Sequence, residues 1–137
     1  MAEKVRRVPY YSFEIEDSPG TTAGILGKLR EASVNLLAYS AFPTSSARAQ
    51  VTVVPEKPDA LGAAARSAGL APSAKKECFL VQGDDRVGAA HDILKRLVEG
   101  KVNCVASTAA ASGTGSFGMA IFVKPADLVS AAKALGI

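Results

Sequence analysis

Short stretches of this chain alternate apolar and polar residues, and stretches with helical spacing separate them. Residues 10–16 alternate with a period of two, which predicts a half-buried strand. The next stretch has the spacing of an amphipathic helix, with an apolar stripe on Ile25, Leu26, Leu29 and Ala32. Ser18 is a suitable cap for this helix, and Pro19 suits its first turn, where no backbone N–H is needed.

The rest of the first half predicts two more strands and a second helix. The strands are 34–42 and 48–54, joined by a hairpin turn at 43–47. The helix begins at Pro58 and stops at Gly69. A strand at 73–82 then has to close the first half and open the second, because few residues separate Gly69 from Glu77.

The second half repeats the first, so the chain contains an internal duplication. The matched segments are Asp17-Ser18-Pro19-Gly20 with Asp85-Arg86-Val87-Gly88, Val34-Asn35-Leu36 with Val102-Asn103-Cys104, 25–29 with 93–97, and 57–61 with 124–128. The spacing between matched residues changes by one between the first and last of these pairs. This predicts a one-residue deletion near the third strand of the second copy.

The second copy is predicted to contain a helix ending at Gly100, strands at 102–109 and 117–123 around a turn at 110–116, and a final helix at 125–135. Its helical stripe consists of Ala90, Ile93, Leu94 and Leu97. No strand follows the final helix, so the shared strand or a partner chain must cover that edge, since an unpaired apolar edge promotes aggregation. We therefore expect a homodimer.

The order predicts an α+β fold of two tandem ferredoxin-like βαββαβ units, with helices packed on an antiparallel sheet and the second unit lacking its own last strand. The predicted division is an N-terminal arm at 1–7, a first domain at 8–76 and a second at 77–137. Because each copy is near the lower size limit for an independent core, we expect the two copies to share one core.

Composition narrows the function classes. Apolar residues make up 48% of the chain, no apolar run approaches the ~20 residues of a membrane span, and no leader precedes a cleavage site. We expect a soluble, cytoplasmic protein with no membrane partner. The net charge is +3, much of it from Lys4, Arg6 and Arg7, and there is no tryptophan. A basic face interleaved with aromatic residues is missing, so we expect no nucleic-acid partner.

Two cysteines, Cys78 and Cys104, lie in apolar strand-like stretches without the spacing of a metal site. They are expected to be buried free thiols, and neither a metal nor a cofactor is expected.

The first-copy segments Asp17-Ser18-Pro19-Gly20 and Val34-Asn35-Leu36, with the stripe between them, give the chain a resemblance to the ACT domain family. The resemblance covers nearly all of residues 8–137 as two tandem copies, and it is strongest to small stand-alone tandem-ACT proteins of bacteria. It implies a regulatory protein that senses an amino acid or similar small metabolite at a domain or subunit interface. The second copy departs from the family pattern because Val87 replaces the expected proline.

The resemblance, together with the chemistry of a free amino acid, gives the candidate site. The backbone N–H groups of Gly20, Thr21 and Thr22 suit the ligand carboxylate, and Asp17 suits its ammonium group. Asn35 carries a donor and an acceptor, and in the family its counterpart often reaches the ligand across an interface. The predicted site comprises Asp17, Ser18, Pro19, Gly20, Thr21, Thr22, Asn35 and Leu36. A second, weaker site comprises Asp85, Val87, Gly88 and Asn103.

Purely structural roles are the alternatives for each of these residues. Both loops could be simple strand-to-helix turns, and Asn35 and Asn103 could hydrogen-bond the backbone at a strand start. His91 is either a solvent-exposed residue or a pH-sensitive ligand contact beside the second loop.

The sequence offers no catalytic constellation, and we expect no enzymatic activity. Acylphosphatase shares the ferredoxin-like topology and uses an arginine and an asparagine, which Arg86 and Asn103 could imitate. However, the loop lacks the glycine and basic residues that would hold an acyl phosphate. The main alternative to a sensor is a regulatory or scaffold subunit that docks on a client metabolic enzyme by sheet extension, as in acetolactate synthase small subunits.

Overall fold

The computed structural model describes residues 3–137, which form four α-helices and six strands in antiparallel arrangement. The elements are β1 (Lys4–Glu16), α1 (Thr21–Glu31), β2 (Leu36–Pro43), β3 (Arg48–Pro55), α2 (Pro58–Ser67), β4 (Lys76–Asp84), α3 (Ala89–Glu99), β5 (Ala106–Ala111), β6 (Ser116–Phe122) and α4 (Leu128–Ala134), with a 3-10 turn at Pro125–Asp127. This order confirms the predicted α+β fold of tandem ferredoxin-like units. No helix among the described residues is long and apolar enough to cross a membrane.

The chain divides into two compact units. The first unit is Pro9–Lys76, and the second combines residues 3–8 with Glu77–Ile137. The strand order is β2-β3-β1 in the first unit and β1-β4-β6-β5 in the second, to which β1 contributes its residues 4–8. The predicted domains at 8–76 and 77–137 stay a prediction, because contacts alone do not define independently folding segments.

Each unit buries its own apolar core, so the expectation of one shared core is wrong. The core of the first unit includes Phe13, Ile25, Leu29, Val51, Val53 and Leu61. The core of the second includes Phe79, Val81, Ile93, Leu97, Met119 and Ile121. Two helices cover one side of each sheet, which is enough to bury a small core even in a unit near the lower size limit.

Residues 4–8 are part of a strand, whereas the sequence predicted an arm and a strand beginning at Tyr10. Val5 packs against the core of the second unit, and the guanidinium of Arg7 forms two 3.0 Å hydrogen bonds with the carboxylate of Glu77. The sequence predicted that the shared strand or a partner chain covers the open edge of the second unit, and residues 4–8 cover this edge beside β4. Residues 1 and 2 of the predicted arm lie outside the described residues.

Several element bounds differ from the prediction. The predicted strand at 73–82 begins only at Lys76, although the backbone N–H of Ser73 donates to the carbonyl of Ser12 at 2.8 Å. The second hairpin is shifted, with its strands at 106–111 and 116–122. β6 has 7 residues against 8 in its counterpart β3, which agrees with the predicted one-residue deletion.

Candidate functional site

The first candidate loop joins β1 to α1 through a left-handed glycine. Gly20 has φ of 87° and is the residue before α1, and its carbonyl accepts a 2.8 Å hydrogen bond from the N–H of Gly24. No side chain caps the helix, so the prediction that Ser18 does so is wrong. Pro19 lies before the helix rather than in its first turn, because the chain reverses at Gly20, where only glycine adopts this conformation without strain.

The hydroxyl of Thr21 holds this turn together. It lies 2.8 Å from the carbonyl oxygen of Glu16 and 2.9 Å from that of Ser18, so its one O–H donor is shared between these two backbone acceptors. Its role in the loop is therefore structural, and the N–H groups at the start of α1 are what the loop could offer a ligand. Thr22 is half-buried beside it.

The loop is exposed and has open space above it. Asp17, Pro19 and Gly20 are exposed, and a Cβ built on Gly20 would meet nothing within 4 Å. The N–H of Asp17 donates to the carbonyl of Ala47 at 2.9 Å, which ties the loop to the hairpin between β2 and β3. A backbone contact fixes Asp17, so its position does not depend on its carboxylate.

Asn35 lies at the opposite end of the first unit from this loop. Glu16 pairs with Arg48, the first residue of β3, whereas Leu36 pairs with Pro55, the last residue of β3. Strands rise ~3.3 Å per residue, so the two ends of β3 are about 23 Å apart. No small metabolite can contact Asp17 and Asn35 of the same unit at once.

The immediate contacts of Asn35 are with Glu56. Its side-chain Nδ2 lies 3.4 Å from the Glu56 carboxylate, and its backbone carbonyl accepts a 2.8 Å hydrogen bond from the backbone N–H of Glu56. The side chain is exposed, and a bulge follows it between Leu36 and Ala38. Leu36 packs against the core of the first unit, so its contribution at this position is to packing.

The second loop repeats the backbone of the first. Gly88 has φ of 81°, and the N–H of Asp85 donates to the carbonyl of Gly115 at 3.0 Å, as Asp17 does to Ala47. Val87 is fully exposed. Asn103 is also exposed and precedes β5, so it lies at the opposite end of its sheet from Asp85, as Asn35 does from Asp17.

The side chains at the second loop form a network of ions that the sequence analysis missed. Arg86 contacts the carboxylate of Asp92 at 2.7 Å and that of Glu3 at 3.6 Å, and Arg96 also contacts Glu3. His91, which is largely exposed, lies 3.1 Å from Asp92. Glu3 is far from the loop in sequence, so no local pattern could have indicated its place here.

Hydrogen bonds in this network shift two pKa values. The pKa of Asp92 is lowered, first by the hydrogen bond with His91 and then by that with Arg86. The pKa of Arg86 is raised, chiefly by its hydrogen bond with Asp92. Both shifts favour the charged forms and keep the ion pair in place.

The cysteines are free, and they differ in burial. Cys78 is fully buried, and this burial raises the pKa of its thiol to about 12. Cys104 is half-buried rather than buried as predicted, and its thiol donates to the carbonyl of Ala106 at 3.2 Å. Among residues 3–137 no group of three or more potential ligands could hold a metal ion.

The outer strands are β2 in the first unit and β5 in the second, and the outer edge of each pairs with no other strand among residues 3–137. Neither strand carries a charged residue. On β2 the side chains of Tyr39 and Phe42 are 51% and 47% exposed, and all six residues of β5 are exposed. Charges usually protect such edges from pairing, and both edges lack this protection.

Comparison with known proteins identifies the fold. No protein-family model matches the sequence, and neither does any curated protein. The structure is similar to protein BT0572 from Bacteroides thetaiotaomicron, with a TM-score of 0.81, 15% identity and coverage of 96% of this chain and 88% of that one.

Two enzyme regulatory subunits are also similar. The regulatory subunit of aspartate kinase from Thermus thermophilus gives a TM-score of 0.66 at 14% identity, covering 97% of this chain and 93% of that one. The corresponding subunit from Thermus flavus gives 0.61 at 18% identity, covering 98% and 93%. At these identities the similarity shows a shared fold.

Proposed function

We propose that this chain is a regulatory protein of tandem ACT type that binds an amino acid or similar small metabolite at a subunit interface. The observation that carries the proposal is the first loop, where an exposed left-handed glycine leaves the start of α1 uncapped below open space. Uncapped N–H groups at a helix start attract a carboxylate. The fold that the chain shares with aspartate kinase regulatory subunits supports a regulatory role.

In this proposal the ligand carboxylate binds the N–H groups of Gly20 and Thr22, because the N–H of Thr21 already donates to the carbonyl of Ser18 at 3.3 Å. The ammonium group of the ligand binds Asp17. The second wall of the site is Asn35 of another copy, because Asn35 of the same unit is at the far end of its sheet. Leu36 directly follows Asn35, and Tyr39 lies further along the same strand.

A homodimer formed through β2 would supply this wall. Two copies of β2 paired antiparallel about a two-fold axis place the start of one strand beside the end of the other. Asn35 directly precedes β2, and the end of β2 lies at the end of the sheet where β1 leads into the Asp17 loop. Antiparallel pairing therefore brings each Asn35 to the side of the partner copy that holds Asp17.

A second candidate function is a subunit that docks on a metabolic enzyme without binding a ligand itself. The observation in its favour is β5, an uncharged and fully exposed outer strand of small residues that another chain could extend. A soluble, cytoplasmic location accords with either function.

We assign no catalytic role. Arg86 and Asn103, the pair that acylphosphatase-like chemistry would need, lie beyond opposite ends of β6, which are about 20 Å apart at ~3.3 Å per residue.

The proposal is tested by thermal unfolding in the presence of each common amino acid at millimolar concentration. A ligand at ~100 times its dissociation constant adds about 2.7 kcal/mol of stability, which moves the midpoint by several degrees. We expect one amino acid to stabilise wild type and the matched control Asp85→Ala, but not Asp17→Ala. A flat response for wild type across the panel would favour the docking subunit.

A further inference from the structure

We propose that Arg86 and Arg96 form a carboxylate-binding site in the second unit, and that the side chain of Glu3 occupies it as an internal ligand. The site itself stands on the contacts of these three residues. That Glu3 takes the place of a metabolite in this repeat rests on the proposed function.

The contacts of Glu3 are those of a bound anion. One carboxylate oxygen faces Arg86 at 3.6 Å, and the other contacts Arg96. The Glu3 side chain is 15% exposed, whereas the acidic partners Glu77 and Glu14 in other ion pairs are 39% and 68% exposed. Two guanidinium groups converging on one shielded carboxylate are typical of carboxylate recognition.

The two arginines carry one more positive charge than Asp92 alone can balance. Of the two arginines, Asp92 contacts Arg86, and Glu3 is the carboxylate that contacts both. Without Glu3, the charge of Arg96 would have no acidic partner among the ion pairs formed by residues 3–137. Two arginines beside one remaining carboxylate would then attract another anion.

The first unit has no equivalent site. The residues that lie 68 positions from Arg86, Arg96 and Glu3, the spacing between Asp17 and Asp85, are Ser18, Lys28 and Ala71. Lys28 donates to the backbone carbonyl of Ala68 at 3.2 Å, and Ser18 and Ala71 carry no charge. The first loop is thus open to a ligand, whereas the second faces a carboxylate from its own chain.

This contact also fixes the strand at residues 4–8. Glu3 directly precedes that strand, and the carbon chain of its side chain lies close to Gly83, where a Cβ would meet it at 3.0 Å. Occupation of the arginine pair by Glu3 therefore favours closure of the β4 edge by residues 4–8. A competing carboxylate would act against this closure.

Chemical rescue tests the site without knowledge of any metabolite. Glu3→Ala removes the internal carboxylate, and propionate, which has the same structure as the glutamate side chain, is the probe. We expect Glu3→Ala to unfold at a lower temperature than wild type. We expect sodium propionate to raise its midpoint by about 3 °C more than sodium chloride at equal ionic strength.

Three variants control this experiment. Wild type and Glu14→Ala, which removes the exposed carboxylate facing Arg48, should show no such excess of propionate over chloride. The double variant Glu3→Ala/Arg96→Ala should lose the excess. Glu3→Gln, in which an amide fills the site without charge, should be destabilised but not rescued.

If propionate raised the unfolding midpoint equally in Glu3→Ala, Glu14→Ala and wild type, the proposed site would be wrong. If Glu3→Ala does not fold in chloride, folding in propionate supports the site, and a Glu3→Gln variant as stable as wild type overturns it. If propionate rescues Glu3→Ala but no amino acid stabilises wild type, the proposed function is refuted and the arginine site is not.

Discussion

Asp17 and Asn35 lie at opposite ends of one three-stranded sheet, although they belong to adjacent segments of the chain. The helix between them carries the chain back along the sheet, so β2 starts at the end of the sheet opposite the Asp17 loop. A binding site that uses both residues therefore needs two copies of the first unit. In the proposed function, the dimer interface is part of the binding site.

The exposed edge of β2 predicts the dimer interface. Tyr39→Lys should weaken self-association at least tenfold, because a buried lysine at a strand edge opposes pairing with a second strand. Sedimentation velocity over a range of concentrations measures the change. Val129→Lys on α4 is the matched control, since Val129 is also an exposed apolar residue but lies on a helix.

Dissociation of both variants to the same extent would argue against a β2 interface. A dimer that neither variant affects would instead implicate β5.

The left-handed glycine before α1 predicts opposite effects of two alanine substitutions. Gly20→Ala should lower the free energy of unfolding by about 1–2 kcal/mol, because an L-residue is strained at φ of 87°. Gly24→Ala, inside α1 with nothing within 4 Å of its added Cβ, should raise it by about 0.5–1 kcal/mol. Urea denaturation measures both. Equal effects of the two substitutions would contradict the assigned turn.

Local patterns in the sequence were sufficient to predict the fold class. Periodicity predicted the helices and both hairpins. The repeated loop sequences matched the two copies, and Gly20 and Gly88 have the same left-handed conformation in the structure. The helix start was misassigned because Ser18 and Pro19 form a common capping pattern, while only the backbone shows that the chain turns two residues later at Gly20.

Contacts between distant segments could not be predicted from local patterns in the sequence. Residues 4–8 contain three basic side chains and precede Pro9, so their composition indicated an arm rather than a strand. Their strand conformation depends on β4, and Glu3 depends on Arg86 and Arg96, which follow much later in the chain. The separation of Asp17 from Asn35 likewise follows from sheet topology and not from their spacing.

The ion pairs of Asp92 predict a dependence of stability on acid pH. Its folded-state pKa is lowered below the ordinary value of 3.8, so the unfolded chain binds the proton more readily. The stabilisation is present above pH 3.8 and disappears as the pH falls through the folded-state pKa. Asp92→Asn should remove this part of the acid dependence, and Asp59→Asn, which alters a helix in the first unit, controls for the loss of one carboxylate.

Titration of the Asp92 carboxyl by carbon-detected NMR checks the sign directly. A midpoint above 3.8 would contradict the assigned hydrogen bonds with His91 and Arg86.

The two thiols should differ in reactivity toward a disulfide reagent. The thiolate is the reactive form, and burial raises the pKa of Cys78 to about 12. Native protein at pH 8 should therefore react rapidly at Cys104 alone, and Cys78 should react only on unfolding. The variant Cys104→Ser should show no rapid reaction, whereas rapid labelling of that variant would show that Cys78 is accessible.

Subunit complementation tests the shared site most directly, using the amino acid that stabilises wild type. Asp17→Ala and Asn35→Ala should each lose binding, because each removes one wall from both sites of a homodimer. Mixed and allowed to exchange, they form heterodimers in which one site has both walls intact. Calorimetric titration should then recover about a quarter of the wild-type sites at wild-type affinity. No recovery on mixing, with exchange confirmed, would show that Asp17 and Asn35 do not form one site across two copies.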